Sequence, residues 1–119
     1  MARQPMIVLI GGLDPMTRVG MATLLRESDV RVVDAPQEAG TAAGRLRPNA
    51  VVLPMSSTPT ELGDVRAGAP GAKVVLWAKD ESEMQVYDAG AQVPRRIAGS
   101  TPAALIDELL TPRMPPREE

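Results

Sequence analysis

A chain of 119 residues is long enough for one sizeable hydrophobic core and too short for two. Its 13 Lys and Arg against 15 Asp and Glu leave a formal charge of −2, which excludes the basic face that binding to a phosphate backbone needs. The absence of Cys and His excludes disulfides, thiolate chemistry, imidazole acid–base catalysis and the usual zinc sites.

"MIVLI" at 6–10 is the first short, nearly continuous apolar run, as expected of a strand covered on both faces. "GGLDPMTR" follows it, and in "TRVGMATLLRE" the residues Met21, Leu24 and Leu25 recur at helical spacing and predict one buried helix face. "VRVV" at 30–33 predicts a second strand, and Ala39, Ala42, Ala43 and Leu46 a second helix. "AVVL" at 50–53 predicts a third strand, which runs into "PMSSTP"; "PTELGDVRAG" then offers a weaker helix with Leu62 and Val65 inward, bounded by Pro59 and Gly68. "KVVLW" at 73–77 predicts a fourth strand. The stretch 81–99 should hold a fourth helix, with Met84, Val86 and Tyr87 on its face, and a fifth strand interrupted by Pro94. Thr101 can cap a last helix with Pro102 at its first position and Leu105, Ile106, Leu109 and Leu110 as its buried stripe. "TPRMPPREE" reads as a linker or tail, which gives a domain over 1–111 and a tail over 112–119. No apolar run approaches the length of a membrane span, and "MARQP" does not open a signal peptide, so a cytoplasmic protein with no membrane contact is expected.

Strand–helix alternation of this kind implies parallel strands joined by right-handed crossovers, an α/β doubly wound sheet. Function in such a sheet belongs at the carboxyl edge, in the loops after the first and third strands. Phe is absent, and Trp77 and Tyr87 are the only aromatics, so the core has to be aliphatic.

"IVLIGGLDPMTRVGMATLLRESD", "RVVDAPQEAGTAAGRLRPNAVVLPM", "GAKVVLWAKDES" and "DAGAQ", in this order and spacing, resemble the receiver domain of response regulators, of the kind that precedes LuxR-type helix-turn-helix domains. The resemblance covers residues 6–110 and implies a flavodoxin-like (βα)5 fold, a three-layer parallel sheet of order 2-1-3-4-5. "PPREE" resembles the opening of the LuxR-type DNA-binding domain, so contact with DNA is expected only through a further domain.

The family's chemistry is phosphoryl transfer to an aspartate at the end of the third strand. It requires an acidic pair after the first strand for Mg²⁺, a hydroxyl after the fourth strand and a lysine after the fifth. Carried over by position, the acidic pair falls on Gly12 and Leu13, the acceptor on Pro54, the hydroxyl on Trp77 and the lysine near Arg96 or Ile97. Asp14 is the one carboxylate left, and one carboxylate does not assemble a Mg²⁺ site. For Asp14, Ser56 or Ser57 to serve as acceptor, cations would have to stand opposite, with Arg18, Lys79, Arg95 and Arg96 available. Against this, an Asp before a Pro is a natural helix cap and "SSTP" is ordinary loop chemistry.

The resemblance with these departures implies a degenerate receiver: no enzyme, no cofactor, no metal, and a phosphorylation-independent regulatory role. Homodimerisation leads, through the fourth helix, fifth strand and last helix, with Met84, Tyr87, Leu105, Ile106 and Leu109 as its face, or through the first and last helices. Two alternatives stand beside it. Trp77 offers a stacking platform for a small-molecule effector, against which it simply fills space left by lost acids. Arg95 and Arg96 offer contacts to an acidic ligand or protein partner, as in a stand-alone adaptor, or are solvated surface groups.

Overall fold

The computed structural model describes residues 6–12, 14–27, 30–35, 39–78, 83–91, 93–98 and 102–110. The elements are β1 (Ile7–Gly11), α1 (Pro15–Glu27), β2 (Arg31–Ala35), α2 (Ala39–Leu46), β3 (Ala50–Pro54), α3 (Pro59–Gly68), β4 (Lys73–Trp77), β5 (Glu83–Tyr87), β6 (Arg95–Ala98) and α4 (Pro102–Leu110). They form one six-stranded sheet of order β2-β1-β3-β4-β5-β6, in which β2, β1, β3 and β4 are parallel and β5 and β6 are antiparallel to their neighbours.

The four strands expected at the start form, and the α/β class and their order 2-1-3-4 hold, but the strand expected fifth is β6, separated from β4 by β5, where a helix was expected. The all-parallel, five-stranded (βα)5 sheet does not form: the chain builds a mixed sheet with one strand more. The cause is local. Five residues separate Trp77 from Glu83, whereas a parallel crossover needs a dozen or more. Met84 and Val86, which suggested a helix face, instead alternate with Gln85 and Tyr87 at the period of a strand, and the alternate pair is buried. Gly90 takes a left-handed φ of 78° in the turn that follows, where a side chain would be strained. Pro94 lies just before β6 and interrupts nothing. Thr101 and the tail from 111 lie outside the described residues.

Period-2 alternation sends side chains of the parallel strands to both faces. Val8, Ile10, Ala50, Val52, Val75 and Trp77 pack with Met21, Ala22 and Leu25 of α1 and Leu105 and Leu109 of α4. Leu9, Val51, Leu53, Val74 and Leu76 pack on the other side with Ala43 of α2 and Val65 of α3. Each large aliphatic side chain so buried contributes roughly 1.5–3 kcal/mol. Leu24, expected inward, is 38% exposed, and Ala22 takes its place.

The helix starts carry their own chemistry. Thr58 Oγ1 accepts from the Glu61 N–H at 3.1 Å while Glu61 Oε1 accepts from the Thr58 N–H at 2.9 Å, with Pro59 opening α3. This reciprocal cap explains a helix whose apolar stripe is weak. The helices α2 and α3 approach closely because the contact is glycine: a Cβ on Gly68 would lie 2.9 Å from Gly40 O and Gly44 N, and one on Gly40 would lie 2.7 Å from Asp64 Cβ.

Candidate functional site

At the carboxyl edge of β1, Gly12 has a left-handed φ of 62°, which turns the chain away from the sheet toward α1. A Cβ at Gly12 would meet Pro54 Cδ at 3.3 Å and Cγ at 3.4 Å. Pro54 is in register with Trp77, and the Met55 N–H donates to Trp77 O at 3.0 Å. Trp77 is 3% exposed and belongs to the aliphatic core on the α1/α4 side. Pro54 thus stands beside both Gly12 and Trp77, the positions onto which the resemblance carries the acceptor, an acid and the hydroxyl; Gly12 is exposed, Pro54 half-buried and Trp77 buried, and none of the three side chains offers an oxygen. Leu13 and Lys79 lie outside the described residues.

Asp14 is occupied locally. Its Oδ2 accepts from the Thr17 N–H at 3.2 Å and its Oδ1 from the Thr17 hydroxyl at 2.6 Å, a cap on α1. Ser56 is exposed and Ser57 half-buried, the Ser57 N–H donating to Pro54 O at 3.0 Å in an ordinary turn. Arg18 is drawn to β2, with Nε 2.8 Å from Asp34 Oδ2. Among the described residues no group of three or more carboxylates is placed to hold a metal ion.

The basic pair lies elsewhere. β6 is separated from β3 by β4 and β5, about 14 Å at the usual strand spacing. Arg96 therefore does not reach Pro54, as the parallel scheme required. Its neighbours Arg95 and Ile97 face α4, so Arg96 projects from the opposite face, exposed and in register with Gln85.

Arg95 is also not a free anion-binding group. It chelates Asp88, with Nε–Oδ2 2.6 Å and Nη2–Oδ1 3.0 Å, and its Nη2 reaches Glu108 Oε2 at 2.8 Å. The same Glu108 oxygen accepts from Lys73 Nζ at 3.0 Å, and Lys73 Nζ donates again to Glu108 O at 3.0 Å. Lys73 is the one charged residue that is buried among those described. Burial by itself raises the Glu108 carboxyl, but hydrogen bonds from Arg95 and Lys73, with their charges, outweigh it and hold the group below its ordinary value. The hydrogen bond from Arg95 holds Asp88 low as well, against a smaller opposing effect of burial. The network joins β4, α4 and the β5–β6 hairpin. It carried no signal in the sequence beyond a lysine opening an apolar strand.

The expected dimer face does not exist as a surface. Met84, Leu105 and Leu109 are fully buried in the core, because the segment around Met84 is a central strand rather than an outer helix. Tyr87 is half-buried with the Arg66 guanidinium 4.8 Å above its ring, and Arg66 also donates to Ala91 O. Ile106 packs half-buried against the core. One cleft among the described residues, about 570 Å³ and lined by Arg47, Asn49, Gly68, Pro70 and Ala72, lies at the amino edge of β3 and β4, away from Trp77. No described helix is long and apolar enough to cross a membrane.

A scan against protein-family models, a search of curated proteins and a search of solved structures each return no match.

Proposed function

We propose that this chain is a receiver-like regulatory module that acts without phosphorylation, signalling through association rather than through a phosphoryl switch. What supports it is that Pro54, onto which the resemblance carries the phosphoacceptor, lies against Gly12 and in register with the buried Trp77, and that none of these side chains supplies an oxygen ligand. A hard divalent cation requires several oxygens in near-octahedral array. Gly12, Pro54 and Trp77 do not supply them, and the carboxylate of Asp14 is engaged with Thr17 at the start of α1. In this reading the module is cytoplasmic, performs no catalysis of its own, and leaves DNA contact to a separate helix-turn-helix domain. The alternative of an effector stacking on Trp77 is disfavoured by the burial of the ring.

Trp77, the only tryptophan, reports directly on this edge. Titration with Mg²⁺ or Mn²⁺ to millimolar concentrations should leave its fluorescence unchanged. A saturable change abolished by Asp14→Asn would overturn the proposal.

A further inference from the structure

The cleft at the amino edge of β3 and β4 has no part in the site described above, which lies at the opposite edge of the sheet. Its volume of about 570 Å³ falls in the range that small organic ligands occupy. Pro48, Ala67, Ala69, Pro70 and Ala72 line it with small apolar groups, and no acidic residue lines it. Its polar side chains are those of Arg47 and Asn49.

Arg47 closes α2 in a strained conformation. Its N–H donates to Ala43 O at 2.9 Å, and its φ of 50° is the one left-handed value of a non-glycine among the described residues. Glycine or asparagine ordinarily ends a helix in this way, because a β-carbon crowds the backbone there. The attraction of a cation to the carboxyl end of α2 does not require this position, since Arg45 already stands in the last turn. The Arg47 side chain is exposed and forms no ion pair with a described residue. Strain kept at a residue that lines a cleft is a mark of a binding site.

Asn49 is pinned between two strands. Its Oδ1 accepts from the Ile7 N–H at 2.8 Å, its N–H donates to Ile7 O at 2.8 Å, and its O accepts from the Lys73 N–H at 3.1 Å. With Oδ1 spent on β1, the side chain has its amide N–H donors to offer. A guanidinium fork beside an amide donor matches a carboxylate. One cation neutralises one charge, and the carboxyl ends of α2 and α3, both at this cleft, oppose a second.

We infer that the amino-edge cleft binds a small monocarboxylate with an aliphatic body, its carboxylate on Arg47 and Asn49 and its body against Ala69, Pro70 and Ala72. This goes beyond the proposed function and does not depend on it, since the two edges of the sheet share no residue.

The test is a heteronuclear NMR titration of the full chain with straight-chain carboxylates from acetate to hexanoate, beside hexanamide and inorganic phosphate. The expected result is a set of saturable shifts centred on 47–49 and 67–72, with a dissociation constant for hexanoate of about 1 mM. Affinity should rise about twofold or more with each methylene, and neither hexanamide nor phosphate should saturate by about 20 mM. Arg47→Gln removes the fork, and Gly71→Leu fills the cleft from a lining position where a Cβ meets no atom within 4 Å. Each should weaken hexanoate at least about tenfold, while Arg96→Gln on β6 leaves it unchanged. Circular dichroism melts establish that the variants are folded, and either of the two cleft variants suffices if the other is lost. Arg47→Gly should melt no lower than wild type yet lose hexanoate to the same extent, which a purely structural arginine would not do. No saturable shift with any carboxylate, equal binding of hexanamide, tighter binding of phosphate, or hexanoate binding indifferent to both Arg47→Gln and Gly71→Leu would each overturn the inference.

Discussion

Replacing Glu108 by alanine is expected to lower the unfolding free energy by about 3 kcal/mol, read as a shift of the urea midpoint. The substitution strips Lys73 Nζ of the Glu108 carboxylate, in a position where the lysine is buried and poorly placed to recover water. It also removes one of the two carboxylates on Arg95. The loss reflects an uncompensated charge rather than the intrinsic worth of the pair, so the double variant Lys73→Met with Glu108→Leu should regain most of it. A midpoint for Glu108→Ala indistinguishable from wild type would show that the network does not hold α4 to the sheet.

The same network sets an acid limit. Glu108 and Asp88 are both held below their ordinary values in the folded chain. A depressed carboxyl contributes its full stability above the unfolded-state value of about 4, and loses it as pH falls through the lower folded-state value. Thermal melts should therefore be nearly flat from neutral pH to about 5 and fall below about 4, with a shallower fall in Glu108→Gln.

The second large effect concerns the α2–α3 contact. Gly68→Ala should destabilise by about 2 kcal/mol, because the added methyl would stand 2.9 Å from two backbone atoms of α2 that move only with the helix. This outweighs the gain of about 1 kcal/mol in helix propensity. Gly63→Ala on the same helix meets open space and should stabilise by up to about that amount. Opposite signs for one chemical change ten ångströms or less apart along a helix separate packing from propensity; equal signs would refute the close approach.

How far the chain could be read from its residues follows from where the physical signal lies. Val8 to Ile10, Ala50 to Leu53 and Val74 to Trp77 are buried on both faces of parallel strands, so each announces itself as an unbroken apolar run. Parallel register then brings the ends of those runs to one edge, which is why Gly12, Pro54 and Trp77 could be placed together in advance. The β5–β6 hairpin could not. Over four residues Met84, Val86 and Tyr87 satisfy a helical and an extended spacing almost equally, and the outcome is decided by the short link after Trp77. That reversal moved Arg96 off the edge and turned Met84 from a surface residue into a core one. The Lys73–Glu108–Arg95–Asp88 network joins residues up to 35 positions apart with no periodicity to betray it. The glycines of α2 and α3 were equally silent, since a glycine needed for close packing and one in open space look alike in a sequence.

Intact-mass spectrometry after incubation with acetyl phosphate and Mg²⁺ tests the oxygen-poor carboxyl edge most directly. The packing of Gly12, Pro54 and Trp77 predicts a single unmodified species at every time point. A stoichiometric gain of one phosphoryl group, mapped to Asp14, Ser56 or Ser57, would contradict it.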